Sequence, residues 1–243
     1  MNLLTTGTLP QFGTWLQESR SAGGVMLIDK EEDWTSFDVV AKLRGITKIK
    51  KIGHAGTLDP LATGLLIVCC GAMTKQISGF QEQTKAYRAV VKLGATTKTD
   101  DREAEEEQIQ SVEHLTEARI HEALGQFIGE IDQIPPMFSA IKKNGVPLYK
   151  LARKGQEIER AARCVSVYGI DVVAISLPEI TLDIRCSKGT YIRSLARDIG
   201  SALGVGGYLA GLRRTSIGDF RVEDAVRVSE IVRQNAEMLQ AQA

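Results

Sequence analysis

The stretch Gly53-His54-Ala55-Gly56-Thr57-Leu58-Asp59-Pro60-Leu61-Ala62-Thr63-Gly64 constrains this chain more than any other. It holds three glycines and a proline but one acidic residue and no lysine or arginine. Glycine admits backbone conformations closed to other residues and lets a neighbour come close, and Pro60 has a fixed φ. An unbroken apolar run, Leu65-Leu66-Ile67-Val68-Cys69-Cys70, follows at once and reads as a buried strand. The chain must therefore set a shaped loop against rigid core, and Asp59 is the carboxylate that the loop carries. From spacing alone, an ordinary Asp–Pro turn explains the pattern equally well.

A length of 243 residues fits one large domain or two small ones, with ample core. No apolar run approaches the roughly 20 residues of a membrane span, and the first residues lack the apolar stretch of a signal peptide, so a cytoplasmic protein is expected. Cys69, Cys70, Cys164 and Cys186 form no CxxC pair and read as reduced core thiols. The three histidines are too scattered for a metal site. Net charge is zero, which taken globally argues against nucleic-acid binding. Locally the charge is segregated. Lys42, Arg44, Lys48, Lys50 and Lys51 lead into the Asp59 loop without an acid among them. Lys142, Lys143, Lys150, Arg153, Lys154, Arg160 and Arg163 form a second basic segment, while acid gathers between Asp100 and Glu107. Such segregation can build a basic face for phosphates; a merely solvated face explains it equally well.

Residues 1–23 are weakly patterned and read as a short amphipathic lead-in or arm. Gly24 to Lys30 reads as a strand, and Ser36 as the N-cap of a helix through about Leu43. Ala86 to Leu93 alternates as a strand, residues 100–107 read as a loop, and Leu115 to Phe127 has helical spacing. Beyond Pro135-Pro136 lies a basic, turn-rich insertion, about residues 138–163, with an Asn144-Gly145 turn and a short helical piece near Leu148 to Lys154. Val165 to Ser176 and Ile180 to Cys186 read as a hairpin, Tyr191 to Leu203 as a helix, Tyr208 to Ile217 as a strand, and Val228 to Leu239 as a helix. Strands adjacent as hairpins, mixed with helices, indicate an α+β fold.

The loop resembles motif II of the TruB-type pseudouridine synthases over twelve consecutive positions. Lys85-Ala86-Tyr87-Arg88, Ile134-Pro135-Pro136-Met137-Phe138-Ser139-Ala140 and Cys186-Ser187-Lys188-Gly189-Thr190-Tyr191-Ile192-Arg193 resemble further family segments in the same order, and the resemblance runs from about Gly24 to Phe220. It implies a catalytic domain over residues 24–220, with a mixed, largely antiparallel central sheet flanked by helices. It also implies isomerisation of a uridine in the TΨC loop of tRNA to pseudouridine, with no cofactor or metal. The short architecture and bacterial-looking motifs point to action without guide RNA, the lack of a long apolar run to no membrane, and the lack of an exposed heptad or long apolar edge to a monomer.

The resemblance makes Asp59 the catalytic carboxylate, as nucleophile or base, and Arg193 the arginine that pairs with it. Tyr87 stacks on the target uracil, and Tyr191 and Leu212 pack in the site. His54 fills the stack vacated by the flipped base. Thr57 stands in the loop where some relatives have Ala. Lys30, Lys48, Lys50 and Lys51 become phosphate contacts, and the insertion, with Lys142, Lys143, Arg153 and Lys154, closes over RNA. Two departures matter. The first motif, usually Lys-Pro-x-Gly before Thr-Ser, is here Lys30-Glu31-Glu32-Asp33-Trp34-Thr35-Ser36, without the Pro and Gly that shape its turn. Many relatives also continue into an RNA-binding PUA domain, for which residues 221–243, read as a helical tail, are too short. A non-catalytic RNA-binding or RNA-folding module on the same scaffold is the alternative. A phosphate-binding or glycosidase reading fares worse: the loop lacks the Gly-Lys-Ser/Thr ending of a P-loop, and no second carboxylate motif lies nearby.

Overall fold

The apolar run after the Asp59 loop folds as a strand whose residues 64–70 are all buried. In the computed structural model, which describes residues 1–139, 141–143, 145–152, 155–156 and 158–241, the strands of the main sheet are β1 (Leu3–Leu4), β2 (Gly24–Lys30), β3 (Ile52–His54), β4 (Thr63–Cys70), β5 (Lys85–Leu93), β6 (Gly129–Gln133), β7 (Arg163–Ser176), β8 (Glu179–Cys186), β9 (Gly207–Ile217) and β10 (Phe220–Arg221). The helices are α1 (Phe12–Ala22), α2 (Ser36–Thr47), α3 (Ile77–Glu82), α4 (Glu117–Gly125), α5 (Leu148–Ala152), α6 (Ile192–Leu203) and α7 (Val228–Gln240). The chain divides into two compact units, Met1–Ala86 with Arg213–Ala243, and Tyr87–Leu212.

In the first unit the strand order is β1-β2-β4-β9, with β3 beside β4 and β10 beside β9. β2 runs antiparallel to β4, from Gly24 opposite Cys70 to Lys30 opposite Gly64. A strand covered on both faces needs apolar residues at every position rather than at alternate ones, and this is why residues 65–70 carry no polar break. Met26, Ile28, Leu66, Val68 and Cys70 join the core with Phe12, Trp15 and Leu16 of α1, Val39, Val40 and Leu43 of α2, and Val228 and Ile231 of α7. Val25, Leu27, Leu65, Ile67 and Cys69 turn the other way, against Phe80, Ile217 and Val222.

The first 22 residues are integral to this core. Leu4 pairs with β2 and is fully buried, and Phe12, Trp15 and Leu16 form the inner stripe of α1. Their spacing is that of an amphipathic helix, but three large apolar residues among polar neighbours give a weak signal. Thr35, not Ser36, caps α2. Its hydroxyl accepts from Asp38 N at 3.0 Å and Thr35 N donates to Asp38 Oδ2 at 3.0 Å, a reciprocal capping box. Ser36 is thereby left for another partner.

In the second unit the order is β9-β5-β8-β7-β6. β7 and β8 form the expected antiparallel hairpin, and β6 lies antiparallel along β7. One core unites Ala89, Val91 and Leu93 of β5, Ile180, Leu182 and Ile184 of β8, Ile120 and Leu124 of α4, and Ile192, Leu195 and Ile199 of α6. The α+β class and the mixed, largely antiparallel sheet are as expected; β1 pairs parallel with β2, and β4 with β9.

The acidic run departs from the loop reading. Glu106–Glu107 pairs antiparallel with Thr96–Thr97, and Glu106 takes hydrogen bonds from Lys92 Nζ at 2.5 Å and the Tyr208 hydroxyl at 2.7 Å. Two partners compensate for the poor strand propensity of glutamate. Cys69, Cys70 and Cys186 are buried free thiols, but Cys164, at the start of β7, is exposed. No helix among the described residues is long and apolar enough to cross a membrane.

Candidate active site

The Asp59 loop leaves β4 in an unusual way. Val68 to Cys70, at the end of β4, pair antiparallel with β3, while Thr63 and Gly64, at its start, pair parallel with Arg213 and Arg214 of β9. Residues 55–62 arch between these two pairings, and side chains from three other segments pin the arch. Ala55 N donates to Ile67 O at 2.8 Å. The buried Arg214 guanidinium donates to Gly56 O at 3.2 Å and Leu65 O at 2.7 Å, holding both ends. Ser36, on the first turn of α2, accepts from Leu58 N at 2.9 Å and donates to Leu58 O at 3.2 Å. Pro60 O accepts from Lys30 Nζ and from Asp33 N, each at 3.0 Å. Ala62 N closes on Asp59 O at 3.1 Å. Ala55, Leu58 and Ala62 are buried, whereas Thr57 is exposed and Asp59 half-buried. The backbone is thus fixed from both sides while one carboxylate faces partly outward, which is the preorganisation that a catalytic group requires.

One departure in the first motif keeps the expected turn. Asp33 stands where the motif has Gly, and it adopts φ 65°, the left-handed conformation that Gly would supply. Asp is among the few other residues that visit this region, so the turn survives the exchange. Lys30, expected as a phosphate contact, requires correction. It is fully buried, and its three ammonium protons go to Glu31 O at 2.9 Å, Trp34 O at 2.6 Å and Pro60 O at 3.0 Å. It is a strut beneath the loop. The long methylene stem lets a strand residue reach carbonyls on two segments, which motif position alone does not reveal.

Burial pulls the Lys30 ammonium down to about 8, and the Asp59 carboxylate partly opposes that fall. The depressed value means that between pH 8 and the ordinary lysine range the unfolded chain binds more protons than the folded one. The contribution of Lys30 to stability therefore rises with pH across that window. A lysine-selective NMR titration will find one ammonium with a midpoint near 8, absent in Lys30→Met. A Lys30 midpoint with the exposed lysines would contradict this placement.

His54 ends β3, half-buried, with its Nδ1 without a hydrogen-bond partner among the described residues. Burial first, and then the charge of Arg214, hold its pKa below the ordinary value, against the opposing influence of the nearby Gly56 backbone. It is therefore an uncharged flat ring at neutral pH beside the arch. Lys48, Lys50 and Lys51, between α2 and β3, are exposed. Lys142–Lys143 pairs with Val146–Pro147 in a two-residue ribbon; Arg153 and Lys154 lie outside the described residues.

The second unit carries the other expected residues. Tyr87 and Leu212 are partly buried and pack against its one core. Tyr191 is the N-cap of α6, its backbone held by the Gln133 amide. Arg193 is not the surface charge that its place on a first helical turn suggests. It is 6% exposed, and its guanidinium donates to Phe138 O at 2.7 Å and Thr99 O at 3.1 Å and lies 3.4 Å from Asp101 Oδ2. Asp101 is itself fixed, accepting from the Thr99 hydroxyl at 2.6 Å and Glu103 N at 3.0 Å. One turn along, Arg197 binds Asp100 at 2.9 Å and Ile134 O at 3.1 Å. Burial raises the Asp100 pKa against the pull of Arg197 and Arg193.

The structure thus brings His54, Thr57, Asp59 and Lys30 together in one unit and gathers Tyr191 and Arg193 on one helix start in the other. Sequence reading missed Arg214, Ser36, Gln133 and Asp101. Sequence pattern marks Ser36 only as a helix cap; Arg214, Ser36 and Gln133 act on backbone atoms distant in sequence, and Asp101 on the Arg193 guanidinium.

Comparison with known proteins follows the same lines. The family model described as "TruB family pseudouridylate synthase (N terminal domain)" matches residues 44–192, and "tRNA pseudouridylate synthase B C-terminal domain" matches residues 193–242. The chain is 51% identical to a tRNA pseudouridine synthase B of Flavobacterium johnsoniae, over 85% of this chain and 93% of the relative. It is also 51% identical to that of Phocaeicola vulgatus, over 85% and 90%. Among solved structures, a chain of a Cbf5-Nop10-Gar1 complex superposes with TM-score 0.66 at 32% identity, over 85% of this chain and 52% of that one; the protein spans about half the length of that neighbour. With the motif matches, the pinned carboxylate loop and relatives aligned along nearly their whole length, the chain belongs to the TruB family of pseudouridylate synthases.

Proposed function

We propose that this protein is a tRNA pseudouridine synthase that isomerises a uridine in the TΨC loop, with Asp59 as its catalytic nucleophile or base. The observation that carries the reading is the arch itself: a half-buried carboxylate on a backbone fixed at six residues, in a chain half identical to proteins named tRNA pseudouridine synthase B. In the reaction the C1′–N1 bond breaks and a C1′–C5 bond forms. The hydrogen on C5 leaves to solvent, and N1 takes up a proton. Nothing is oxidised or reduced, so protein side chains suffice. Asp59, Arg193 and Tyr87 carry the chemistry: a carboxylate that attacks or removes a proton, a guanidinium held by fixed acceptors, and a ring on which uracil stacks. The neutral ring of His54 suits the stack that the flipped base leaves, and such stacking returns roughly 1–3 kcal/mol. Thr57, Tyr191 and Leu212 line the substrate. Lys48, Lys50 and Lys51, with the insertion's Lys142, Lys143, Arg153 and Lys154, meet phosphates, so binding weakens as salt rises.

The test uses a tRNA transcript carrying tritium at C5 of uridine. Each pseudouridine formed releases one tritium to water. The expected result is release by the protein alone, without cofactor or guide RNA. Firm binding of the transcript with no release would contradict catalysis and favour an RNA-folding module.

A further inference from the structure

The second unit contains a clasp that the sequence gives no reason to expect. Gln133 ends β6, is 1% exposed, and faces Tyr191 across 58 residues of chain. Its Oε1 accepts from Tyr191 N at 2.8 Å and its Nε2 donates to Tyr191 O at 3.1 Å. Tyr191 is the N-cap of α6 and has an extended backbone, φ −96° and ψ 111°. Its N–H lies outside the helix ladder and, without Gln133, would be one of the orphan donors of a helix start. Its carbonyl already accepts from Leu195 N at 3.1 Å, so Gln133 fills the second lone pair. The primary amide meets the backbone of one residue as a neighbouring strand would, with a donor and an acceptor side by side.

The clasp does not stand alone. Ile134 O accepts from the Ser194 hydroxyl at 2.9 Å and from Arg197, and Phe138 O accepts from Arg193 at 2.7 Å. Residues 133–138 are therefore fastened to the first two turns of α6, and Gln133 alone of these contacts fixes the residue before the helix. We infer that Gln133 is a positioning residue for Tyr191: its buried amide sets the backbone from which the Tyr191 ring is presented to the substrate base. The inference rests on the reading of Tyr191 as part of the substrate site. The two Gln133 bonds fix both backbone polar groups of the residue that carries the ring, and a misplacement of about 1 Å in a positioned group costs on the order of 100-fold in rate.

The experiment is a double-variant cycle on the full chain, measuring single-turnover pseudouridine formation and transcript affinity separately. Gln133→Met keeps length and burial but loses both amide bonds, and Tyr191→Ala removes the ring. The inference predicts that Gln133→Met lowers the single-turnover rate by about tenfold or more with transcript affinity nearly unchanged, and that it lowers the rate no further in the Tyr191→Ala background. Gln133→Glu keeps the acceptor for Tyr191 N and recovers part of the rate; should the Met variant not fold, this variant takes its place in the cycle. If Tyr191→Ala leaves the rate unchanged, the reading of Tyr191 in the site fails, and the inference with it. If Tyr191→Ala slows the reaction but the Gln133 change does not, or their costs multiply, the inference alone is overturned and Gln133 is only structural.

Discussion

Asp59→Asn abolishes pseudouridine formation while the variant still binds the transcript. The fall in turnover is expected on the order of 10⁴-fold or more, the scale of losing a nucleophile, with affinity nearly unchanged because the lost interaction belongs to the transition state. Asp59 gives the arch its backbone carbonyl, through Ala62 N; the remaining pins come from Arg214, Ser36, Lys30, Asp33 and Ile67. An amide of the same shape leaves all of them in place. A second readout accompanies the first. The Asp59 charge holds the Lys30 pKa up, so its removal moves the Lys30 midpoint further below about 8. Unchanged turnover in Asp59→Asn would remove this residue from the mechanism, and unfolding would mean that the carboxylate is part of the scaffold.

The largest structural effect is expected at Gly64. Its φ is 98°, and a Cβ there would lie 2.3 Å from Arg214 O and 2.8 Å from Arg214 N. Both atoms are backbone in the parallel pairing of β9 with β4, so no rotamer change relieves the clash. Gly64→Ala must push apart the strands that carry the far end of the arch and displace the guanidinium that holds Gly56 O and Leu65 O. Strain and overpacking together cost about 3 kcal/mol or more, which for a chain of this length lowers the thermal midpoint by roughly 6–12 °C. Activity falls with it, because the Arg214 guanidinium pins the loop that carries Asp59. Gly45→Ala, on α2 with open space around the added methyl, is the control and leaves the midpoint near that of the parent. A Gly64→Ala protein with parental midpoint and rate would contradict the pairing of β4 with β9.

The sequence revealed what local pattern encodes. The strand at 24–30 was legible because Val25 to Ile28 form an unbroken apolar run, the hairpin because two strand-like runs, 165–176 and 180–186, flank a short turn, and α6 because Ile192, Leu195, Ile199 and Leu203 recur at helical spacing. Asp59 was legible as the one charged group in a glycine-rich loop. What was not legible depends on distance along the chain. Arg214 reaches Leu65 across 149 residues, Ser36 reaches Leu58 across 22, and Arg193 reaches Thr99 across 94. Lys30 illustrates the same limit: the motif marks the residue, but only the fold shows that its charge points inward at carbonyls. Asp33 shows the converse, a departure from motif that left the conformation intact because the left-handed turn tolerates aspartate.

Chemical mapping of pseudouridine in an unmodified tRNA transcript, after incubation with the purified protein and with no guide RNA or cofactor, decides whether Asp59 acts on the TΨC loop. One modified uridine is expected, in the TΨC loop, and none with Asp59→Asn. Modification elsewhere in the transcript, or product that persists in the Asp59→Asn variant, would contradict it.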